Sequence, residues 1–200
     1  MKHRLVLKQD LRLAGILELV TPYRPRRQRD IYFRLMRAIA GQQLSVKAAT
    51  TIWERFLDLF PDRYPHPELV GSLEAETMRR AGLSYQKASY IKAIADFARD
   101  NDISYERLDR MSDEEVITYL TSIKGVGRWT VEMILMFSLG RKDVFPADDL
   151  GIINAMKRLY NLRSTGKALR LRCVKISEKW RPYRSYACFY LWPYKDTLRR

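Results

Sequence analysis

Apolar residues recur at three- and four-residue spacings along most of the chain, the period of helices buried on one side. Asp30 predicts a cap for a helix over 31–40, with Ile31, Leu35, Ala38 and Ile39 on one face. Ser45 opens a second, carrying Ala48, Ile52, Phe56 and Leu59 inward, before Pro61, Pro65 and Pro67 mark a loop. The pattern predicts a short helix over 72–81 stopped by Gly82. A longer one from Ser84 carries Ala88, Ile91 and Ala95 with Phe97 or Ala98. Ser112 and Glu115 form a capping-box pair ahead of Val116, Leu120 and Ile123. Further helices are predicted over 128–139, 150–159, 168–178 and 183–192, and the only alternating stretch is a weak one over 4–7. The expected fold is all-α, without an internal repeat or a low-complexity linker.

Composition narrows the partners. Thirty-seven Lys and Arg against 23 Asp and Glu give a net charge of +14, with 12% aromatics, which favours a polyanion. The basic run from Pro22 to Arg29 could track phosphates, but dispersed arginines of this kind are read as a solvated loop. Cys173 and Cys188 stand fifteen apart, and His3 and His66 lie far from them. That excludes a four-cysteine iron–sulfur cluster, a zinc site and a disulfide scaffold. No apolar run is long enough to span a membrane or to form a signal peptide, so a soluble, cytoplasmic protein is expected.

The chemistry concentrates in two segments. Lys124, Gly125, Val126 and Gly127 form a tight turn between two amphipathic helices, where both glycines are expected to permit positive φ and close backbone approach. The helix that follows opens with unpaired N–H groups and the positive end of its dipole, a ready site for a phosphate. Lys124 and Arg128 flank it. About twenty residues on, Pro146 leads into Asp148 and Asp149. One of the two is expected to cap the next helix. An acidic pair facing an anionic ligand is electrostatically costly unless it performs chemistry, such as stabilising a cationic transition state or activating water.

Ile123 to Thr130 followed by Asp143 to Leu150 resembles the helix–hairpin–helix DNA glycosylase superfamily and, within it, the 3-methyladenine DNA glycosylase II family in a short form. Ala38 to Ala48, Ala81 to Lys87 and Trp180 to Ala187 are similar to that family's other segments, in the same order. The resemblance implies two helical lobes, one of roughly 30–140 bearing the hairpin, the other of 1–29 with 141–200. It implies a monofunctional hydrolase that cleaves the N-glycosidic bond of alkylated purines in double-stranded DNA, as a monomer. Asp149 aligns with the catalytic aspartate, and Asp148 with a neighbouring cap or orienting group.

The same resemblance places Trp129, Met133 and Trp192 around the extruded base. It assigns Gln42, Gln43, Leu44, Lys124, Gly125, Gly127, Arg128 and Thr130 to DNA, with Gln43 as the wedge in the gap and Leu44 as the apolar alternative. Bifunctional relatives carry a lysine where Trp129 stands, so no Schiff base is expected. No cofactor is required. A structural Na or K ion at the hairpin would be held by main-chain carbonyls of Thr121, Ile123 and Val126. The charge and hairpin fit a non-catalytic DNA-binding module equally well, but the acidic pair and Trp129 speak against it. A glycosylase for other damaged or mismatched bases would need only a different pocket.

Overall fold

The computed structural model describes residues 2–197, which among themselves contain helices and no strand. The chain forms two compact units, Gln28–Ile134 and the joined segments Met1–Arg27 and Leu135–Arg200. Helix α10 (Arg128–Phe137) runs across the boundary.

In the first unit, α3 (Ile31–Gly41) and α4 (Val46–Leu57) begin at Asp30 and Ser45, whose side chains accept from the backbone N–H of Phe33 and Ala48. The short helix predicted over 72–81 is α6 (Ala75–Arg80), starting late because Leu73 and Glu74 are extended, and a further helix, α5 (Pro67–Ser72), stands before it where Pro67 was read as part of a loop. Helix α7 (Tyr85–Asp100), capped by Ser84, packs on α3, α5 and α6. Its Ile91, Ile94 and Ala95 are fully buried beside Leu35, Ile39, Phe56 and Met78 in this unit's core. The five-residue α8 (Tyr105–Asp109) starts at Ser104, and α9 (Asp113–Thr121) has the predicted Ser112–Glu115 capping box.

In the second unit the weakly alternating amino-terminal segment is helical. The helices are α1 (Lys2–Leu7) and α2 (Leu11–Leu19), separated by Asp10, which caps α2. Tyr160 O–H and Trp180 Nε1–H also donate to Asp10, at 2.8 and 3.3 Å, so this buried carboxylate is fully occupied by structure. Helices α11 (Leu150–Leu159), α12 (Gly166–Ser177) and α13 (Arg184–Thr197) follow, and α13 packs against α11 and α2. Burial raises the Cys173 thiol to about 11, as suits a side chain with no exposed chemistry. The last helix was predicted to end at Trp192; it continues through Pro193. Pro193 has no N–H to return to Phe189, and the Phe189 carbonyl accepts instead from Tyr23 N–H at 2.9 Å. No helix among the described residues is long and apolar enough to cross a membrane.

Candidate nucleic-acid interface and active site

Two exposed turns of the first unit are organised by one helix. Gln42 ends α3, and Gln43 follows with φ of 58°, a left-handed conformation that L side chains rarely adopt. Lys87 of α7 holds this turn: its ammonium donates to the main-chain oxygens of Ala40 at 2.9 Å and Gln42 at 2.8 Å. Gln43 is exposed and Leu44 is 39% exposed. Ser45, also exposed, caps α4.

Three residues along α7, and so on the same face, Tyr90 supports the other turn. A Cβ placed on Gly125 would fall 2.1 Å from the Tyr90 ring, and Gly125 has φ of 90°, so only glycine fits there. Gly127 differs from expectation. Its φ is not positive and its Cβ would meet nothing within 4 Å. Close approach from outside, not backbone handedness, is what a side chain at Gly127 would obstruct.

Lys124 is exposed on the hairpin. Arg128, expected at phosphate, is committed elsewhere. Its guanidinium grips the Glu114 carboxylate at 2.5 and 3.1 Å and the buried Glu132 at 3.2 Å, tying α10 to the start of α9. That pairing holds the Glu114 carboxyl below the ordinary glutamate range. Thr130, expected at DNA, is also turned inward and only 2% exposed. Of the oxygens expected to hold a cation, that of Ile123 accepts Val126 N–H at 3.0 Å inside the turn. Its second lone pair, with the Thr121 and Val126 carbonyls, is a hard-oxygen donor set suited to an alkali ion.

Trp129 is the second residue of α10 and is 38% exposed. Met133 and Phe137 follow at four-residue intervals, placing all three on one helix face. In the second unit, Phe137 stacks on Trp192 at 5.5 Å.

Trp192 also orients Asp149 of the acidic pair. Asp149 is 8% exposed, and its Oδ1 accepts both Ile152 N–H at 2.8 Å, as cap of α11, and Trp192 Nε1–H at 3.2 Å. Asp148, expected as the cap or orienting group, is exposed and pairs with Arg170 at 3.3 Å. The extended entry to Asp149 is fixed by Ser185 Oγ, which accepts from Val144 N–H at 3.0 Å and donates to the Arg141 carbonyl at 2.8 Å. Asp143 is bound by Arg184 and Arg181, which makes it a strut. A Cβ on Gly151 would lie 3.0 Å from Asp149 Oδ1, 3.4 Å from the Trp192 ring and 3.6 Å from Lys195 Nζ. The site is therefore crowded, and Lys195 belongs to it.

Lys87, Tyr90 and Lys195 were not singled out from sequence, although Lys87 lies in a segment that carried the resemblance.

A glycine hairpin in one unit and a tryptophan-bonded helix-cap aspartate in the other, each on an all-helical frame, define a class of DNA repair protein. Residues 36–181 match the family described as HhH-GPD superfamily base excision DNA repair protein, and the chain belongs to it. It is 40% identical over 197 residues to DNA-3-methyladenine glycosylase 1 of Schizosaccharomyces pombe, covering 92% of this chain and 86% of that protein. A putative DNA-3-methyladenine glycosylase of Bacillus subtilis is 36% identical across 82% of this chain, which spans 58% of that relative's length. The S. pombe 3-methyladenine DNA glycosylase, solved in complex with abasic DNA, superposes with a TM-score of 0.86 at 39% identity, covering 96% of this chain and 95% of that one.

Proposed function

We propose that this DNA glycosylase hydrolyses the N-glycosidic bond of alkylated purines, 3-methyladenine and 7-methylguanine, in duplex DNA and leaves an intact strand with an abasic site. The observation that carries this reading is Asp149: a buried carboxylate held in one orientation by a backbone N–H and an indole N–H. A methylated purine is cationic and leaves with the bonding pair, which neutralises it. The departing base therefore needs little acid, and the enzyme's task is to stabilise the positive charge that develops on the sugar. Asp149 supplies the opposite charge there, and water completes the substitution at the sugar carbon.

Trp129, Met133 and Trp192 would receive the flipped base, and indole faces attract a cationic ring by about 0.5–2 kcal/mol. Gln43, with Leu44 beside it, would fill the vacated gap. The first-turn N–H groups of α10, with Lys124 and the open face at Gly127, would bind phosphate. The Thr121, Ile123 and Val126 carbonyls would hold an alkali cation, whose charge would add to the attraction for phosphate. One copy of the chain carries every residue this requires.

Incubation with a methylated duplex, followed by chromatography of the supernatant, tests the reading. Free methylated purines should appear while the strand remains whole until alkali is added. Tight binding without release would instead favour the non-catalytic module. Release confined to oxidised or mismatched bases would favour a different pocket.

A further inference from the structure

The basic segment from Pro22 to Arg29, expected to be a solvated loop, builds a wall of a crevice of about 440 Å³ in the second unit. Neither Asp149 nor Trp192 lines it. The volume falls within the range of small-ligand sites, roughly 300–1,000 Å³.

Its charge is one-sided. Arg4, Arg24, Arg27 and Arg141 line it, and among the described residues no carboxylate does. Arg4 is tied to Glu18 at 2.8 Å behind the wall. Arg27 lies flat on the main chain at Gly140, where a Cβ would come within 2.8 Å of its guanidinium and φ is 67°. Clustered guanidinium groups repel one another, and an anion with several acceptor oxygens, such as a phosphate, relieves that repulsion through paired hydrogen bonds to the planar guanidinium.

The rest of the lining is aromatic. The His3 ring stacks on Tyr186 at 4.3 Å with 13° between planes. Burial and neighbouring positive charges lower its pKa, so the ring is neutral at pH 7 and offers a flat plate rather than another cation. Tyr23, 54% exposed, meets Phe137 edge-on at 5.5 Å and is anchored through its N–H to the carbonyl that Pro193 leaves unclaimed. Stacking of a nucleobase on such rings is worth about 1–3 kcal/mol.

From this combination we propose that the crevice is a second ligand site, which binds a nucleoside monophosphate group. The phosphate sits on Arg24 and Arg27 and the base lies against Tyr23 and the His3–Tyr186 stack. The site is separate from the glycosidic centre and does not depend on which base is excised. A free mononucleotide and the phosphorylated 5′ end of a DNA strand share this chemistry.

Isothermal titration with AMP, adenosine and inorganic phosphate tests the site. AMP should bind at least tenfold more tightly than either fragment. Arg27→Leu should weaken AMP at least tenfold, with the melting temperature and the affinity for undamaged duplex unchanged. His3→Ala, which removes a plate at an exposed terminal helix, should weaken AMP and leave phosphate binding as it was. Adenosine binding as well as AMP, indifference to Arg27→Leu, or AMP binding lost instead in Lys124→Gln would overturn the proposal. Two duplexes differing only in a 5′ phosphate separate the sources. A preference for the phosphorylated end that vanishes in Arg27→Leu assigns the site to a strand end, whereas AMP binding without that preference assigns it to a free nucleotide. Both uphold the site.

Discussion

Replacing Lys87 by Met should uncouple the Gln43 turn from the helix that supports it. The variant keeps the length and apolar stem of the side chain but removes two charge-assisted hydrogen bonds, to the oxygens of Ala40 and Gln42. Each such bond contributes about 1.5–3 kcal/mol. Burial lowers the Lys87 pKa, which shows that desolvation of the ammonium offsets part of this. A net loss of about 1–3 kcal/mol follows for the partly buried pair, which at this chain length lowers the melting temperature by about 3–10 °C. The loss falls on a turn whose Gln43 already sits at positive φ, so the wedge should lose its fixed pose. Single-turnover excision from a fully paired duplex should drop about tenfold, equivalent to about 1.4 kcal/mol. On a substrate whose damaged base lies opposite a mismatch, flipping costs less and the defect should shrink. Unchanged melting with wild-type excision would refute the supporting role. An equal defect on paired and mismatched substrates would show that Lys87 stabilises the fold without serving the wedge.

The two hairpin glycines should respond differently. Gly125→Ala sets a Cβ into the Tyr90 ring at a left-handed φ and should cost about 2–4 kcal/mol, whereas Gly127→Ala should melt like the parent; calorimetry compares them. The flanking cations should also separate: Lys124→Gln should reduce the salt slope of duplex binding by about one, while Arg128→Gln, losing contacts to Glu114 and Glu132, should alter stability with little change in slope. A common loss of slope would place Arg128 on phosphate. Finally, borohydride should trap no protein–DNA adduct, because Trp129 occupies the lyase position. An adduct that disappears in Lys195→Gln would show that the amine near Asp149 forms a Schiff base.

The helices that were legible announce themselves locally. Asp30 and Ser45 each stand one residue before the apolar period they cap, Ser112 stands three before its capping-box partner, and all three cap as read; Ser84, read only as a helix start, caps as well. Helices α1 and α8 have six and five residues, too short for a period to show, and packing rather than propensity maintains them. The choice within the acidic pair could be stated from the motif, but the local signal was ambiguous about the cap. Asp149 is the cap, and its indole donor lies 43 residues away. Arg128 reads as a phosphate ligand because its partner Glu114 is fourteen positions distant. Lys87 was illegible for the same reason, since its acceptors are carbonyls 45 and 47 residues earlier and any residue type supplies those. The run from Pro22 to Arg29 was legible as basic and illegible as a wall, because its aromatic partners come from both ends of the chain.

The central claim is that the negative charge of Asp149, in its fixed pose, drives loss of the base, and Asp149→Asn tests it most directly. Asparagine caps helices as well as aspartate, and its amide oxygen can still accept from Ile152 N–H and Trp192 Nε1–H, so shape and capping survive while the charge is removed. Base release should be measured in a single turnover on a methylated duplex with enzyme in excess, alongside Asp148→Asn. The account predicts that Asp149→Asn binds the duplex as the parent does and releases methylated purine about 10²–10³ times more slowly. Asp148→Asn, which loses only an exposed pair with Arg170, should stay near the parent rate. Full activity in Asp149→Asn, or an equal loss in Asp148→Asn, would contradict it.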